Sequence, residues 1–321
     1  MKKHGLSEIA QIAGVSVATV YRGMNNAGYV SPEVRSKIMK AASELGYVPS
    51  AVTKKRRLGI VLSQFEWHAC NHYRDAMLSE ISRRCSELDI GIEMFFPNNI
   101  AALEESFIRS ALVLQKQEDA LREKVSNVRF ISLNQSLAGV PNVSTDDRWC
   151  MKTGIDYLMR HGCRRIMLVI PSEQYSGMNR STIFREMMHQ AGIDEESARV
   201  LALKDCPSVS NALKKAVFED KIDAIFIGGE DMAPMITWEL FRLGIRIPDD
   251  ISLLSFEAPG SSCYMLPAHT TVQQDFPRLV STAIDWAMRI NDGEEIPMDK
   301  SLLLPGFFNE RDSVRIIGGQ P

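Results

Sequence analysis

The sequence predicts an α/β protein in two parts: a small three-helix head at the N-terminus, then a larger two-lobed body built on parallel sheets. Three observations carry that prediction. Short apolar-periodic segments, punctuated by glycine and serine, fill the first fifty residues. From Leu58 onward, strand-like apolar runs alternate with amphipathic helices. The charge is also divided, with ten Lys/Arg against three Asp/Glu in residues 1–57 but 27 against 37 in the remainder. A basic head on an acidic body fits a protein whose head alone meets a polyanion.

In the head, Leu6, Ile9, Ala10, Ile12 and Ala13 recur at helical spacing and predict a helix over 6–13. Gly14 ends it, because glycine accepts the left-handed geometry of a helix exit. Ser16 caps a second helix that carries Val17, Val20 and Met24 and closes at Asn25-Asn26-Ala27-Gly28. Ser31-Pro32-Glu33 gives a third helix its cap, a proline at the first helical position and a first-turn carboxylate. Its apolar face is Val34, Ile38, Ala41, Ala42 and Leu45, and Gly46 ends it. Two short helices around a glycine turn, braced by a third, make a helix-turn-helix. A three-helix protein-interaction module has the same outline. The second helix is polar where it would face a duplex. Ser16, Thr19 and Asn25 can donate to phosphates, Arg22 can reach a phosphate or a guanine edge, and Val17 and Ala18 sit at the leading end where side chains read bases.

In the body, strands are predicted at Leu58–Ser63, Ile90–Phe95, Ala111–Leu114, Val128–Leu133, Arg165–Ile170, Arg199–Leu203, Ala224–Ile227 and Ile251–Phe256. Helices are predicted at about 72–88, 147–161, 180–191, 208–219, 231–243 and 276–291. This alternation implies parallel sheets covered on both faces, and it is too long for one open sheet. Two lobes follow, with a ligand cleft at the carboxyl ends of the strands.

Several function classes are disfavoured. No run of about 18 apolar residues predicts a membrane span, and the polar start predicts no signal peptide, so a cytoplasmic protein without a membrane partner is expected. The cysteines Cys70, Cys85, Cys150, Cys163, Cys206 and Cys263 form no C-x-x-C pair, which suits reduced thiols. There is no G-x-S-x-G elbow, no P-loop and no G-x-G-x-x-G after a strand, so neither an enzyme nor a cofactor is expected. His68, Cys70 and His72 form one metal-like cluster, but no further ligand at useful spacing completes it, and no metal is expected.

The stretch from Leu6 to Arg22 (LSEIAQIAGVSVATVYR), with Asn25-Asn26-Ala27-Gly28-Tyr29-Val30-Ser31 and Leu45-Gly46-Tyr47-Val48-Pro49, resembles the DNA-binding head of the LacI/GalR family of repressors. The resemblance implies that Val17 and Ala18 choose the operator while Ser16, Thr19, Arg22 and Asn25 hold the duplex. Tyr21 departs from it, standing where the family usually has serine. More loosely, Val143-Ser144-Thr145-Asp146-Asp147, His161-Gly162-Cys163-Arg164-Arg165-Ile166, Arg180 with Phe184, residues 243–252, Ser261-Ser262-Cys263-Tyr264 and Thr270-Thr271-Val272-Gln273-Gln274 fall in family order. The implied body is similar to periplasmic sugar-binding proteins. Its N-lobe would span about 58–161 and 274–298, and its C-lobe about 162–273 and 299–321. The head would take 1–49 and a linker 50–57.

The same resemblance implies an effector held by Arg180, which follows Tyr175-Ser176-Gly177-Met178-Asn179, and by Glu257, with Asp146 nearby. A guanidinium fork suits vicinal hydroxyls or a carboxylate. Other positions depart from the pattern. Gly229-Glu230 replaces an Asn-Asp pair, Asp147 replaces an asparagine, Cys150 and Met151 replace small glycines, and no aromatic stands near Cys206-Pro207. Glu230 is retained as a ligand candidate, and Trp67 as an aromatic platform supplied from elsewhere. The linker Pro49-Ser50-Ala51-Val52-Thr53-Lys54-Lys55-Arg56-Arg57 is about six residues shorter than the family's and lacks its wedge leucine, leaving Lys54, Lys55 and Arg56 for phosphates. The expectation is a homodimeric, operator-binding regulator controlled by a small polar metabolite such as a sugar. A regulator whose body docks a protein partner and a solute-binding receptor are the alternatives.

Overall fold

The computed structural model describes residues 5–25, 29–45, 47, 56–62, 72–106, 108–114, 125, 127–171, 175–194, 196–203, 209–257 and 259–315. The head consists of α1 (Leu6–Ala13), α2 (Val17–Asn25) and α3 (Pro32–Glu44). Gly14 takes φ 67°, left-handed, and its N–H closes the end of α1 on the Ala10 carbonyl. The Ser31 hydroxyl accepts the Val34 N–H at the start of α3, as a capping serine should. Ile9, Ala10, Val20, Met24, Ile38, Ala41 and Ala42 form a closed apolar core. At Gly23 an added methyl would come to 3.0 Å from Ile38 Cδ1, so glycine lets α2 lie close against α3.

In the body, parallel strands alternate with helices. The strands are β1 (Arg56–Leu62), β2 (Ile90–Phe95), β3 (Ser110–Leu114), β4 (Arg129–Leu133), β5 (Asn142–Thr145), β6 (Ile166–Pro171), β7 (Ala198–Leu203), β8 (Ala224–Ile227), β9 (Ser252–Phe256), β10 (Thr270–Gln273), β11 (Ser301–Leu304) and β12 (Phe307–Asn309). The helices are α4 (His72–Glu87), α5 (Ala102–Glu105), α6 (Asp147–Arg160), α7 (Tyr175–Gln190), α8 (Val209–Lys214), α9 (Ala233–Arg242) and α10 (Phe276–Asn291). One sheet runs β11-β5-β4-β3-β1-β2 and the other β12-β10-β9-β8-β6-β7. Arg56 pairs with Ile90 and Gly59 with Ala111 in the first sheet; Ile166 pairs with Ala198 and Ala224 in the second. β12 joins β10 antiparallel, Val272 opposite Phe308.

Each expected strand forms, with shifts of one or two residues at the ends. Four further strands, β5, β10, β11 and β12, were not foreseen. They are three or four residues long; β11 is a short apolar run, Leu302-Leu303-Leu304 after Ser301, but it is largely exposed and does not alternate with a helix as the other strands do. Helix α7 starts at Tyr175 rather than 180, which puts Arg180 in its second turn. The helix expected over 208–219 is α8 followed by a wider π-type turn at Lys215–Glu219.

The chain divides into two compact units: residues 1–65, 81–142 and 280–301, and residues 66–80, 143–279 and 302–321. Residues 143–161, expected with the first lobe, fall in the second unit. Their helix α6 buries Cys150, Met151, Ile155 and Leu158 with Leu168, Phe226, Leu254 and Phe256 of the second sheet. In the first unit Val61, Phe95, Leu103, Ala111, Val113 and Phe130 share a core. In the second, Met167, Val169, Ile225, Ile227 and Leu253 face α8 and α9 instead. Alternate residues of each strand thus serve opposite layers, as a doubly covered parallel sheet requires.

Gly154 marks a tight helix–sheet approach in the core that α6 shares with the second sheet. A methyl there would meet the Phe226 ring at 2.7 Å and Leu254 at 3.1 Å. Gly154→Val is expected to lower stability by roughly 1–3 kcal/mol through overpacking. A fall in the urea midpoint at unchanged m-value checks it.

Candidate DNA-reading and effector sites

The N-terminal end of α2 is organised by its own cap. Ser16 Oγ accepts the Thr19 N–H at 3.1 Å and lies 2.8 Å from the Thr19 hydroxyl. Val20 and Met24 are buried, whereas Ala18, Arg22, Val17 (43% exposed) and Tyr21 (55%) form an open stripe. Val17 and Ala18 are thus apolar side chains left open to water on a well-packed helix. Arg22 folds back along α2, Nε donating to the Ala18 carbonyl at 3.3 Å and Nη2 to the Thr19 hydroxyl at 3.4 Å. These are exposed, long bonds that a phosphate or base edge can displace. The Asn25 side chain, Lys54 and Lys55 lie outside the described residues.

Arg56 departs from expectation. It opens β1 instead of belonging to a linker, and its guanidinium pairs with Asp292 at 3.2 Å. The ladder to Ile90 draws it into the sheet, so its charge already has a partner within the first unit.

In the second unit, the carboxyl ends of β6, β8 and β9 gather around Arg180. Gly177 makes this possible, since a Cβ there would lie 2.6 Å from the Pro171 carbonyl at the end of β6. Arg180 is 3% exposed. Its Nε donates to Asp147 Oδ1 at 2.9 Å, Nη1 donates to the Gly228 carbonyl at 2.8 Å, and Glu230 Oε1 stands 3.9 Å from Nη1. The guanidinium carbon lies 3.5 Å from the centroid of the Phe256 ring, a cation–π contact.

The network extends in both directions. Asn179 Nδ2 donates to Asp147 Oδ2 at 2.8 Å. Gln274 donates to Glu230 and receives the Thr145 hydroxyl at 2.6 Å. Burial depresses the Arg180 pKa, but Asp147 and Glu230 outweigh it and hold the guanidinium above its ordinary range. Burial lifts the Glu230 carboxyl above the usual carboxylate range despite Arg180. Burial also pushes the neighbouring Cys150 thiol up to about 12, so it stays protonated and inert.

Of the expected effector residues, Arg180 and Glu230 come together. Asp146 instead caps α6, accepting the Trp149 N–H at 2.9 Å. Glu257 is buried and already engaged by Thr271, by Arg311 at 2.9 Å and by Asn309 at 3.3 Å. Trp67 lies outside the described residues, as do His68 and Cys70. His72 starts α4, and Asp231 accepts both its backbone N–H at 2.6 Å and a bond with its ring Nδ1 at 3.0 Å. Asp147, Gln274 and Thr145 were missed as site residues. For Asp147 the signal existed, as a charged residue in place of an amide; for Thr145 and Gln274 only their place in the family-like motifs hinted at it.

Elsewhere in the second unit, His269 is fully buried, with Nε2 3.0 Å from the Thr237 hydroxyl, which itself donates to the Ala233 carbonyl. Burial lowers the His269 pKa to about 4 from 6.5. A depressed histidine stabilises fully above its unfolded pKa, and that contribution is lost as pH falls from 6.5 towards 4. Wild type is therefore expected to lose about 2 kcal/mol between pH 7 and pH 5 through this residue. His269→Asn should narrow the difference between the melting temperatures at the two pH values.

Comparison with known proteins covers the head and most of the second unit. The family description "Bacterial regulatory proteins, lacI family" matches residues 5–50, and "Periplasmic binding protein-like domain" matches residues 155–314. The ribose operon repressor of Bacillus subtilis is 22% identical over 288 residues, covering 84% of this chain and 86% of that protein. The lac repressor dimer bound to operator and the anti-inducer ONPF superposes with a TM-score of 0.70 at 21% identity, covering 97% of this chain and 99% of that one. A LacI family regulator from Enterococcus faecium with bound ribose gives a TM-score of 0.70 at 18% identity, covering 82% of this chain and all of that one. A helix-turn-helix head joined to a periplasmic-binding-protein-like body defines a DNA-binding transcriptional regulator. Residues 5–50 are of the lacI family of bacterial regulatory proteins, and residues 155–314 carry the periplasmic-binding-protein-like domain. No described helix is long and apolar enough to cross a membrane.

Proposed function

We propose that this protein is a cytoplasmic, non-catalytic repressor. It binds a pseudo-palindromic operator as a homodimer and is controlled by a small polar effector, of sugar type, at the Arg180 cluster. The open stripe on α2 carries the operator half of this reading. Val17 and Ala18 meet base edges, Ser16, Thr19 and Asn25 hold phosphates, and Arg22 takes either role. Ligands of parallel α/β folds sit at the carboxyl ends of strands, where Arg180 stands. The lac repressor structure holds operator and an anti-inducer, and the Enterococcus faecium regulator holds ribose, which supports both halves. Glu257 and Asp146, each with structural partners, act at the margin of the effector site at most.

A dimer contact is assigned to exposed apolar side chains of the second unit. Trp238, Phe241 (81% exposed), Tyr264 and Leu266 (90% exposed) stand open there, beside a cavity of about 410 Å³ lined by Thr237, Phe241, Ile245, Ile247 and Pro267. Large exposed apolar side chains beside such a cavity mark a protein contact.

The deciding experiment is selection of bound fragments from random duplex DNA by the full chain, followed by gel shifts. A two-fold symmetric site is the expected product, and no sequence preference at any salt would overturn the reading. Because β1 begins at Arg56 and not Leu58, the chain joins the sheet sooner than the sequence implied. We expect a weaker central bend than a wedge leucine gives. A circular-permutation assay checks this, and a sharp kink lost on Val52→Ala would show that a wedge survives.

A further inference from the structure

The charges around Arg180 restrict what kind of ligand the site can take. An arginine alone in a cleft offers its fork to a carboxylate or phosphate. Here the Nε edge is closed by Asp147 at 2.9 Å, and Nη1 faces the Gly228 carbonyl at 2.8 Å and Glu230 at 3.9 Å. One face of the guanidinium is covered by Phe256 at 3.5 Å. Asp147 and Glu230 are themselves 12% and 8% exposed, so water screens little of their charge. Even with Glu230 protonated, Asp147 alone balances the arginine. An incoming anion would gain no free counter-charge and would meet a carboxylate at close range.

We propose that the effector of this protein carries no anionic group: it is a polyhydroxyl compound, uncharged or amine-bearing, whose donors are accepted by Asp147 and Glu230. This rests on the Arg180 cluster being the effector site. Sequence alone left both classes open, since a forked guanidinium suits a carboxylate as well as a diol. The protein supplies the carboxylates itself, from the start of α6 and from the turn before α9. Neutral sugars and amino sugars fit such a site; sugar acids and sugar phosphates do not.

The test needs no knowledge of the natural effector. Thermal shifts of the full chain are read with glucuronate, glucose 6-phosphate and inorganic sulfate at matched ionic strength. Wild type is expected to show no saturable shift. Asp147→Asn/Glu230→Gln leaves Arg180 without counter-charge, so the same anions should raise Tm by about 5 °C at saturation. A further Arg180→Met change should cancel that gain. Asp147→Asn alone should show a smaller gain, and it serves if the double variant does not fold. A saturable anion shift in wild type that vanishes in Arg180→Met overturns the ligand class and leaves the site standing. An anion shift that survives Arg180→Met arises at the basic head and is subtracted from every variant before the comparison. Failure of both Asp147 variants to gain anion binding also overturns the proposal.

Discussion

Replacing Arg180 with alanine is expected to cost about 3–5 kcal/mol of folding stability, since it strips a buried ion pair of one partner. Asp147 and Glu230 would remain 12% and 8% exposed with no cation beside them. Two adjacent acids in that position take up protons, so the gap in stability between variant and wild type should narrow as pH falls from 7 to 5. Both keep His269, whose destabilisation on acidification cancels in that difference. Urea unfolding at both pH values reads this, with Arg180→Lys as the control that keeps the charge without the fork. A loss under about 1 kcal/mol would mean that the network is looser than its distances say. At temperatures where the variant stays folded, operator binding should persist while any effector response is gone. That separates the site's control of DNA affinity from its share in the fold.

Operator affinity is expected to fall by about 10³–10⁵-fold between 50 and 200 mM salt if the dimer neutralises some six to ten phosphates. The basic excess of residues 1–57 makes such a count reasonable for two heads. Fluorescence anisotropy across a salt series gives the slope of log K against log salt. Arg22→Ala should cost about 1–3 kcal/mol. If Arg22 holds a phosphate, the slope should shrink by about one and sequence preference should survive; if it reads a base, the preference relaxes at that position. A slope near zero would exclude the head as the polyanion contact.

The head was legible almost residue by residue because its signals are local. Gly14, Ser16 and the Ser31-Pro32-Glu33 start act within one turn of where they stand, and periodicity alone put Ile9, Val20 and Ile38 inside. The central strands were legible for the same reason, as buried runs bounded by turns. The site was legible only in part. Arg180 announced itself through family-like residues around it, but its partners come from 33 and 50 positions away in the chain. Glu257 looked like a ligand group because it stands where the resembling family has an acidic residue after a strand. Its partners, Asn309 and Arg311, arrive on β12 and just beyond it, an edge too short to announce itself. Arg56 was misassigned because four consecutive basic residues look alike in sequence, while only the β1 ladder decides which of them leave the linker.

Trp238, Phe241, Tyr264 and Leu266, open in the single chain, tie the proposed dimer to the abundance of the protein. If two copies meet through them, heat tolerance is a property of concentration as well as of sequence, because dilution removes the partner that covers them. Each tenfold dilution takes about 1.4 kcal/mol from the dimer at 25 °C. Single copies would also bring only one head to a two-headed site. A cell holding few copies would therefore see its operators vacated with no effector present, and the number of molecules made per generation becomes a second input to the same switch.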